Sequence, residues 1–255
     1  MSLIEQPQTI ENEKTEKQWQ SIYKLGGVTA LIVILGTILD IIIGTAIGGD
    51  LSTIPQTAIG RFSQFQDNWL LGLYNLDMLN LITTILLIPT YFALCAAHRR
   101  VNISYALLAT ILYFIGAAVF ITNNTALAML ELSSRYAAAT TEVQRTLLAA
   151  AGEALIAKGT HGSFGVFPGF LLLSIGSLAM SYAMLAGKIF SKSTAYAGIL
   201  GSILLLIYII LVTFVPGTKN VAMMIAAPGG LLALAWMIMF TIKLFRLGYS
   251  KNSIQ

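Results

Sequence analysis

The chain has 255 residues, of which 56% are hydrophobic and 10% charged, with a formal net charge of +4. Soluble domains carry about a quarter charged residues, so this balance excludes an ordinary soluble enzyme and points to a membrane protein. The basic residues cluster at the ends of apolar segments, which makes them topological and argues against a nucleic-acid partner.

The first twenty residues carry Glu5, Glu11, Glu13 and Glu16, and the apolar run begins only at Leu25, with no small-residue cleavage site. The first span is therefore expected to remain as an uncleaved anchor behind a solvated, partly disordered tail. Six segments offer the ~20 apolar residues that a helix needs to cross a bilayer core. They lie at about 25–48, 69–95, 103–122, 162–185, 195–215 and 221–242. Helices are the expected form, because lipid offers no partner to open backbone groups. The implied fold is all-α: a six-helix transmembrane bundle over 21–247, with polar tails at 1–20 and 248–255. A single cysteine, Cys95, excludes an internal disulfide or a cysteine metal cluster and reads as a small apolar filler.

Lysine and arginine set the predicted orientation. Lys14, Lys17, Lys24, Arg99, Arg100, Lys188, Lys192, Lys243, Arg246 and Lys251 fall on one side, and only Arg61, Arg135, Arg145, Lys158 and Lys219 on the other. The richer side is the cytoplasm, so both termini are predicted inside. Two outer connections are long enough to fold. Ile54, Ala58, Phe62, Phe65 and Trp69 recur at helical spacing after Pro55, which predicts a short helix lying on the outer surface. Within 125–158, Thr141 and Gln144 form a capping box, followed by an apolar stripe of Val143, Leu147, Ala151 and Leu155. This predicts an extracytoplasmic helical hairpin between spans three and four, packed over the mouth of the bundle.

Polar side chains inside the spans are the candidate site, since an ionised carboxylate at a helix centre costs about 3 kcal/mol. Asp40 lies eight residues below Gly48, and Asp77 eight below Trp69. At a rise of 1.5 Å per residue both stand about 12 Å beneath the outer end, on consecutive antiparallel spans. Gly36, Asp40, Gly44 and Gly48 share one face, and Tyr74, Asp77, Asn80 and Thr84 another. The candidate binding residues are Asp40, Asp77, Asn80, Asn75, Tyr208, whose hydroxyl can donate to a carboxylate, and His161 at the outer mouth beside Asn123, Asn124 and Glu153. Two acids so close cannot both ionise cheaply, so one is expected to hold a proton or the pair to share a cation. The competing reading is that each acid is protonated and hydrogen-bonded, fixing helix register. His98, in the basic inner loop, reads as solvated. No metal-binding pattern is present. Gly162, Gly165, Gly169 and Gly176, around Pro168, read as a close-packing face, and Pro228-Gly229-Gly230 likewise.

The chain resembles a bacterial multi-pass membrane family known as domain of unknown function 4386. The resemblance rests on Gly49-Asp50 with Thr57-Ala58, on Asp77 ahead of Pro89-Thr90-Tyr91, on His161-Gly162-Ser163-Phe164-Gly165, and on Gly198-Ile199-Leu200-Gly201. Members often carry an arginine in span three and Pro-Arg before span five, where this chain has Tyr113-Phe114 and Ser191-Lys192-Ser193. The resemblance implies a membrane bundle in the bacterial cytoplasmic membrane and brings no activity or cofactor. Three functions remain open: a small transporter or substrate- or ion-binding protein using the Asp pair, an auxiliary subunit of a larger membrane complex, and an intramembrane enzyme acting on lipid. The lack of a catalytic constellation weighs against the enzyme. The lipid bilayer is the one partner the sequence requires, with other membrane subunits as partners under the second reading.

Overall fold

The computed structural model describes residues 5–46 and 54–250, and every regular element among them is helical. In chain order these are α1 (Glu5–Ala46), α2 (Ala58–Asp67), α3 (Trp69–Tyr74), α4 (Met78–Ala97), α5 (Ile103–Asn123), α6 (Ala126–Ala138), α7 (Glu142–Gly159), α8 (Phe167–Gly187), α9 (Lys192–Phe214) and α10 (Lys219–Tyr249). Six of them, α1, α4, α5, α8, α9 and α10, carry segments long and apolar enough to span a membrane. Each packs on the next in that order, and α10 returns to α1, so the six close a ring in chain order. Short loops join α4 to α5, α8 to α9 and α9 to α10, while the two long connections, α1 to α4 and α5 to α8, carry the other four helices.

Small residues set how closely the helices approach. A side chain added at Gly116 would meet the Leu173 backbone at 2.7 Å, and one at Gly169 the Phe120 backbone at 2.9 Å. Helices α5 and α8 therefore touch backbone to backbone, which is how association is achieved where lipid is as apolar as the core. The bundle core, built around Tyr91, Leu94, Tyr113, Met180, Met184 and Phe240, lies toward the end that carries the loops 98–102 and 188–191. Glu16 ties α1 to that end through ion pairs with Arg99, at 2.7 Å, and Arg100. Leu31, Leu35, Leu107, Ile111, Leu200 and Ile207 face outward, as lipid contact requires.

At the opposite end α2, α3, α6 and α7 form a cap with its own small core of Phe62, Phe65, Leu73, Leu76 and Met129. The α6–α7 hairpin occupies the predicted place, and its capping box forms: Gln144 N–H donates to Thr141 Oγ1 at 3.3 Å, and Gln144 Oε1 accepts from Thr141 N–H at 3.4 Å.

The structure departs from the sequence reading at several places. Helix α1 begins at Glu5, so it runs through the segment expected as a partly disordered tail, where Glu, Gln and Lys are good helix formers. The second span is not one helix over 69–95 but α3 and α4 separated by a turn at 75–77. The fourth helix starts only at Phe167, which puts Pro168 in its first turn rather than its interior, and leaves Gly162, at φ +85°, in the preceding turn. The α2 stripe does not lie on a surface: Ala58, Phe62 and Phe65 are buried in the cap core. Helix α7 packs by Gly152 against Ala58 and Phe62, while Val143 and Leu147 of the expected stripe stay exposed. His98 is fully buried, with Nδ1 2.8 Å from Leu94 O and its ring stacked on Phe190, so it is not a solvated loop residue. Gly44, Gly48 and the Gly49-Asp50 pair offer no test: the side chain of residue 44 and all of residues 48–50 lie outside the described part.

The close α5–α8 contact gives a stability prediction. Gly169→Leu must displace the Phe120 backbone and should cost about 1–3 kcal/mol. Gly230→Ala, with nothing within 4 Å of the added carbon, should be neutral or slightly stabilising. Thermal unfolding in detergent measures both, and equal effects would contradict the packing account.

Candidate functional site

The turn between α3 and α4 creates the site. Asp77 sits there with φ 61° and ψ 26°, a left-handed conformation that costs an ordinary residue about 1–2 kcal/mol and that Asp tolerates better than most. The break leaves the Leu76 carbonyl outside both helical ladders, and Asn124, from the α5–α6 connection, answers it. Its Nδ2 donates to Leu76 O at 3.0 Å and more weakly to Asp77 O at 3.5 Å. The turn is thus held from outside its own segment.

Held this way, the Asp77 carboxylate points at a partner from the far side of the chain. Its Oδ2 is 3.0 Å from His161 Nδ1, and its Oδ1 accepts from Asn80 Nδ2 at 2.9 Å. The other ring nitrogen, His161 Nε2, is 2.7 Å from the Tyr208 hydroxyl. Phe170 packs against the imidazole at a centroid distance of 4.9 Å and limits its rotation. The result is a continuous chain, Asp77–His161–Tyr208, joining the α3–α4 break, the turn before α8, and α9. With a neutral ring, Nδ1–H donates to Asp77 and Nε2 accepts from Tyr208; with a charged ring, both nitrogens donate. Burial pushes the Asp77 carboxyl up, but His161, Asn80 and Arg61 outweigh it and hold the acid below its ordinary range.

The chain lies in the wall of a cavity of about 320 Å³ between the cap and the bundle core, whose lining includes Asp40, Gln56, Arg61, Tyr74 and Asn75. Tyr74 donates to Asp40 Oδ1 at 2.7 Å. Burial, together with the Asp40 carboxylate it bonds, pushes the Tyr74 phenol up to about 12, so it stays a donor at physiological pH. Arg61 is only 3% exposed. Its Nη1 makes two long contacts, 3.4 Å each, to Gln64 Oε1 and Asn75 O, and its Nε has no partner among the described residues. Burial works against its charge, and Asp77 offsets that only through space.

All six residues expected from sequence line this region, except that Tyr208 enters through His161 rather than the cavity wall. Their connections differ from the expectation. Asp40 and Asp77 do not hydrogen-bond to each other; Tyr74 engages Asp40, and His161 engages Asp77. Asp40 and Asp77 both line the cavity, and the count of eight residues from Trp69 to Asp77 crosses the turn at 75–77. Tyr208 bonds an imidazole and not a carboxylate. Asn123, Asn124 and Glu153 do not join His161: Asn123 bonds Val119 O, Asn124 holds the turn, and Glu153 Oε1 accepts from the Ala58 N–H at 2.7 Å. No residue of α6 or α7 lines the cavity, so the hairpin braces α2 and is not itself a lid. Among the described residues no cluster of three or more His, Cys, Asp or Glu side chains is placed to hold a metal.

The model of the family described as domain of unknown function DUF4386 matches residues 26–243. The chain belongs to that family. Every cavity residue from Asp40 to Met223 falls within the matched segment. No curated protein and no solved structure matches the chain. Arg61 and Tyr74 also line the cavity, and only Tyr74 stands in an expected polar stripe. The signal for Arg61 was its spacing, because it shares a helical face with the buried Ala58, Phe62 and Phe65.

The depressed Asp77 acid makes a pH prediction. Its contribution to stability is full above the unfolded carboxylate value of about 3.9 and is lost as pH falls through the folded value. Asp77→Asn should fold, since an amide still bonds Asn80, but melt below wild type at neutral pH by about 1–3 kcal/mol. The gap should close under acid conditions below about pH 4. A gap that widens in acid would mean that Asp77 is protonated in the folded protein.

Proposed function

We propose that this protein is a small solute-binding membrane protein of the transporter type, whose ligand occupies the cap-side cavity and whose Asp77–His161–Tyr208 chain takes up or releases a proton with occupancy. The observation that carries this reading is the hydrogen-bonded chain itself. Three separate parts of the fold contribute one titratable group each, and they meet at the wall of a cavity large enough for a small ligand. Fixing register needs one polar contact per helix pair; a carboxylate–imidazole–phenol relay facing open volume is more than that. A proton on His161 reverses the direction of its bond to Tyr208, which gives the cavity two hydrogen-bonding states.

The excess of lysine and arginine at the loop end supports a cytoplasmic position for both termini, in the bacterial cytoplasmic membrane that the family resemblance suggests, and so an outward-facing cavity. The test of orientation is labelling. In a Cys95→Ala background, Gln56→Cys in intact cells should react with a membrane-impermeant methanethiosulfonate, and a reporter fused at Gln255 should behave as cytoplasmic. Labelling only after permeabilisation would invert the assignment.

The test of function is flux. Proteoliposomes containing a trapped pH dye should report solute-dependent proton movement with at least one member of a panel of amino acids, amines, carboxylates and sugars. Asp77→Asn and His161→Phe should remove that signal while remaining folded. If no solute moves protons or shifts the melting temperature of the wild type, the transporter reading falls and an auxiliary membrane subunit takes its place.

A further inference from the structure

Resting on the reading that the cavity binds a solute, we infer that its ligand is a small zwitterion, an ammonium joined to a carboxylate or phosphate, with the anionic end on Arg61 and the ammonium on Asp40. Two charges in the cavity wall are left without a direct ion pair among the described residues. Asp77 is spoken for, with His161 on one oxygen and Asn80 on the other. Arg61 and Asp40 are not. Arg61 is 97% buried on the complement of its 3% exposure, forms no ion pair among the described residues, and leaves Nε without any partner. A buried guanidinium that a carboxylate reaches only through space is costly, and its fork geometry fits a bidentate oxyanion. Asp40 receives a single neutral hydrogen bond, from Tyr74 to Oδ1, and no cation among the described residues reaches it.

Both groups line the same cavity, so one ligand can complete both. A simple anion would satisfy Arg61 and be repelled by Asp40; a simple cation would have the reverse fault. A zwitterion meets each group with its opposite. The neutral lining groups Gln56, Asn75 and Asn80 can bond either end. Size adds a second restriction. A volume of about 320 Å³ is at the lower edge of the range of roughly 300–1,000 Å³ for small-molecule sites, which suits a free amino acid or one lipid headgroup.

The experiment compares matched halves on the purified full chain. L-alanine should raise the melting temperature, while propionate and ethylamine, which each carry one of its two charges, should bind at least about tenfold more weakly, the loss expected for one missing ion pair. Arg61→Gln should erase the advantage of alanine over ethylamine, and Asp40→Asn its advantage over propionate. A lipid source is distinguished by using glycerophosphoethanolamine as the soluble probe and by comparing nanodiscs of phosphatidylethanolamine with phosphatidylglycerol. If the headgroup probe and the ethanolamine lipid stabilise the protein and alanine does not, the ligand is a lipid. If propionate or ethylamine binds as tightly as the zwitterions, the inference is wrong while the binding-site reading stands. If no probe, charged or not, alters the protein, the binding site itself is refuted.

Discussion

A helix that stops inside an apolar bundle exposes carbonyl groups that neither lipid nor a neighbouring leucine can satisfy. The geometry of the cap end follows from how this chain handles one such stop, at residues 75–77. Asn124 supplies a donor to the Leu76 carbonyl, while the Asp77 carbonyl already accepts from the Leu81 N–H of α4. That leaves the Asp77 side chain free to turn away from its own helix and toward His161. Without the break, Asp77 would project from a continuous helix at an angle set by its neighbours. With it, the carboxylate is aimed by the turn, and the strain of a left-handed Asp is offset by bonds from two other segments.

The cap helices then find their purpose in the position of Arg61. Burying a guanidinium demands a rigid support, and α2 has one: Glu153 of α7 accepts from the Ala58 N–H at its first turn, and Ser133 of α6 donates to Phe62 O at 3.0 Å. Gln66 bonds back to Ser133. The hairpin therefore works on the cavity indirectly, by fixing the helix that carries the one buried arginine at its edge. Truncating the hairpin would loosen Arg61 without removing any residue from the cavity wall.

The sequence made the spans legible because the lipid constraint is coarse: length and apolarity suffice to find them. It also made the polar residues legible, since each stands out against an apolar background. What it did not disclose is who pairs with whom. Residues 77 and 161 are separated by four elements, and nothing in periodicity couples them. The break was hidden as well, because Trp69 to Tyr74 and Met78 onward are both apolar and helix-forming, and only the polar Asn75 and Asp77 mark the junction. His98 was misread for a related reason. A basic loop implies solvent, yet Arg99 leaves the loop to reach Glu16 and Tyr23, while His98 turns inward under Phe190. In each case the deciding contact is tertiary.

The arrangement of small residues bears on the choice between a solute-binding protein and a packing subunit. Glycine-lined faces are the usual means by which membrane helices of different chains approach closely. Among the described residues several such glycines are used inside the ring: Gly116, Gly169 and Gly176 between α5 and α8, Gly201 and Gly229 between α9 and α10, and Gly26 between α1 and α4, while Gly230 meets nothing within 4 Å. The outward surface is instead large and aliphatic, which lipid covers as readily as a partner would. The close contacts run along the ring, from Gly169 against Phe120 near the cap end to Gly26 against Ala93 nearer the loop end, and the polar groups gather at the cap end beside the cavity. Close-packing residues used within the ring, with the costly charges gathered along one cavity, are what the proposed binding role requires.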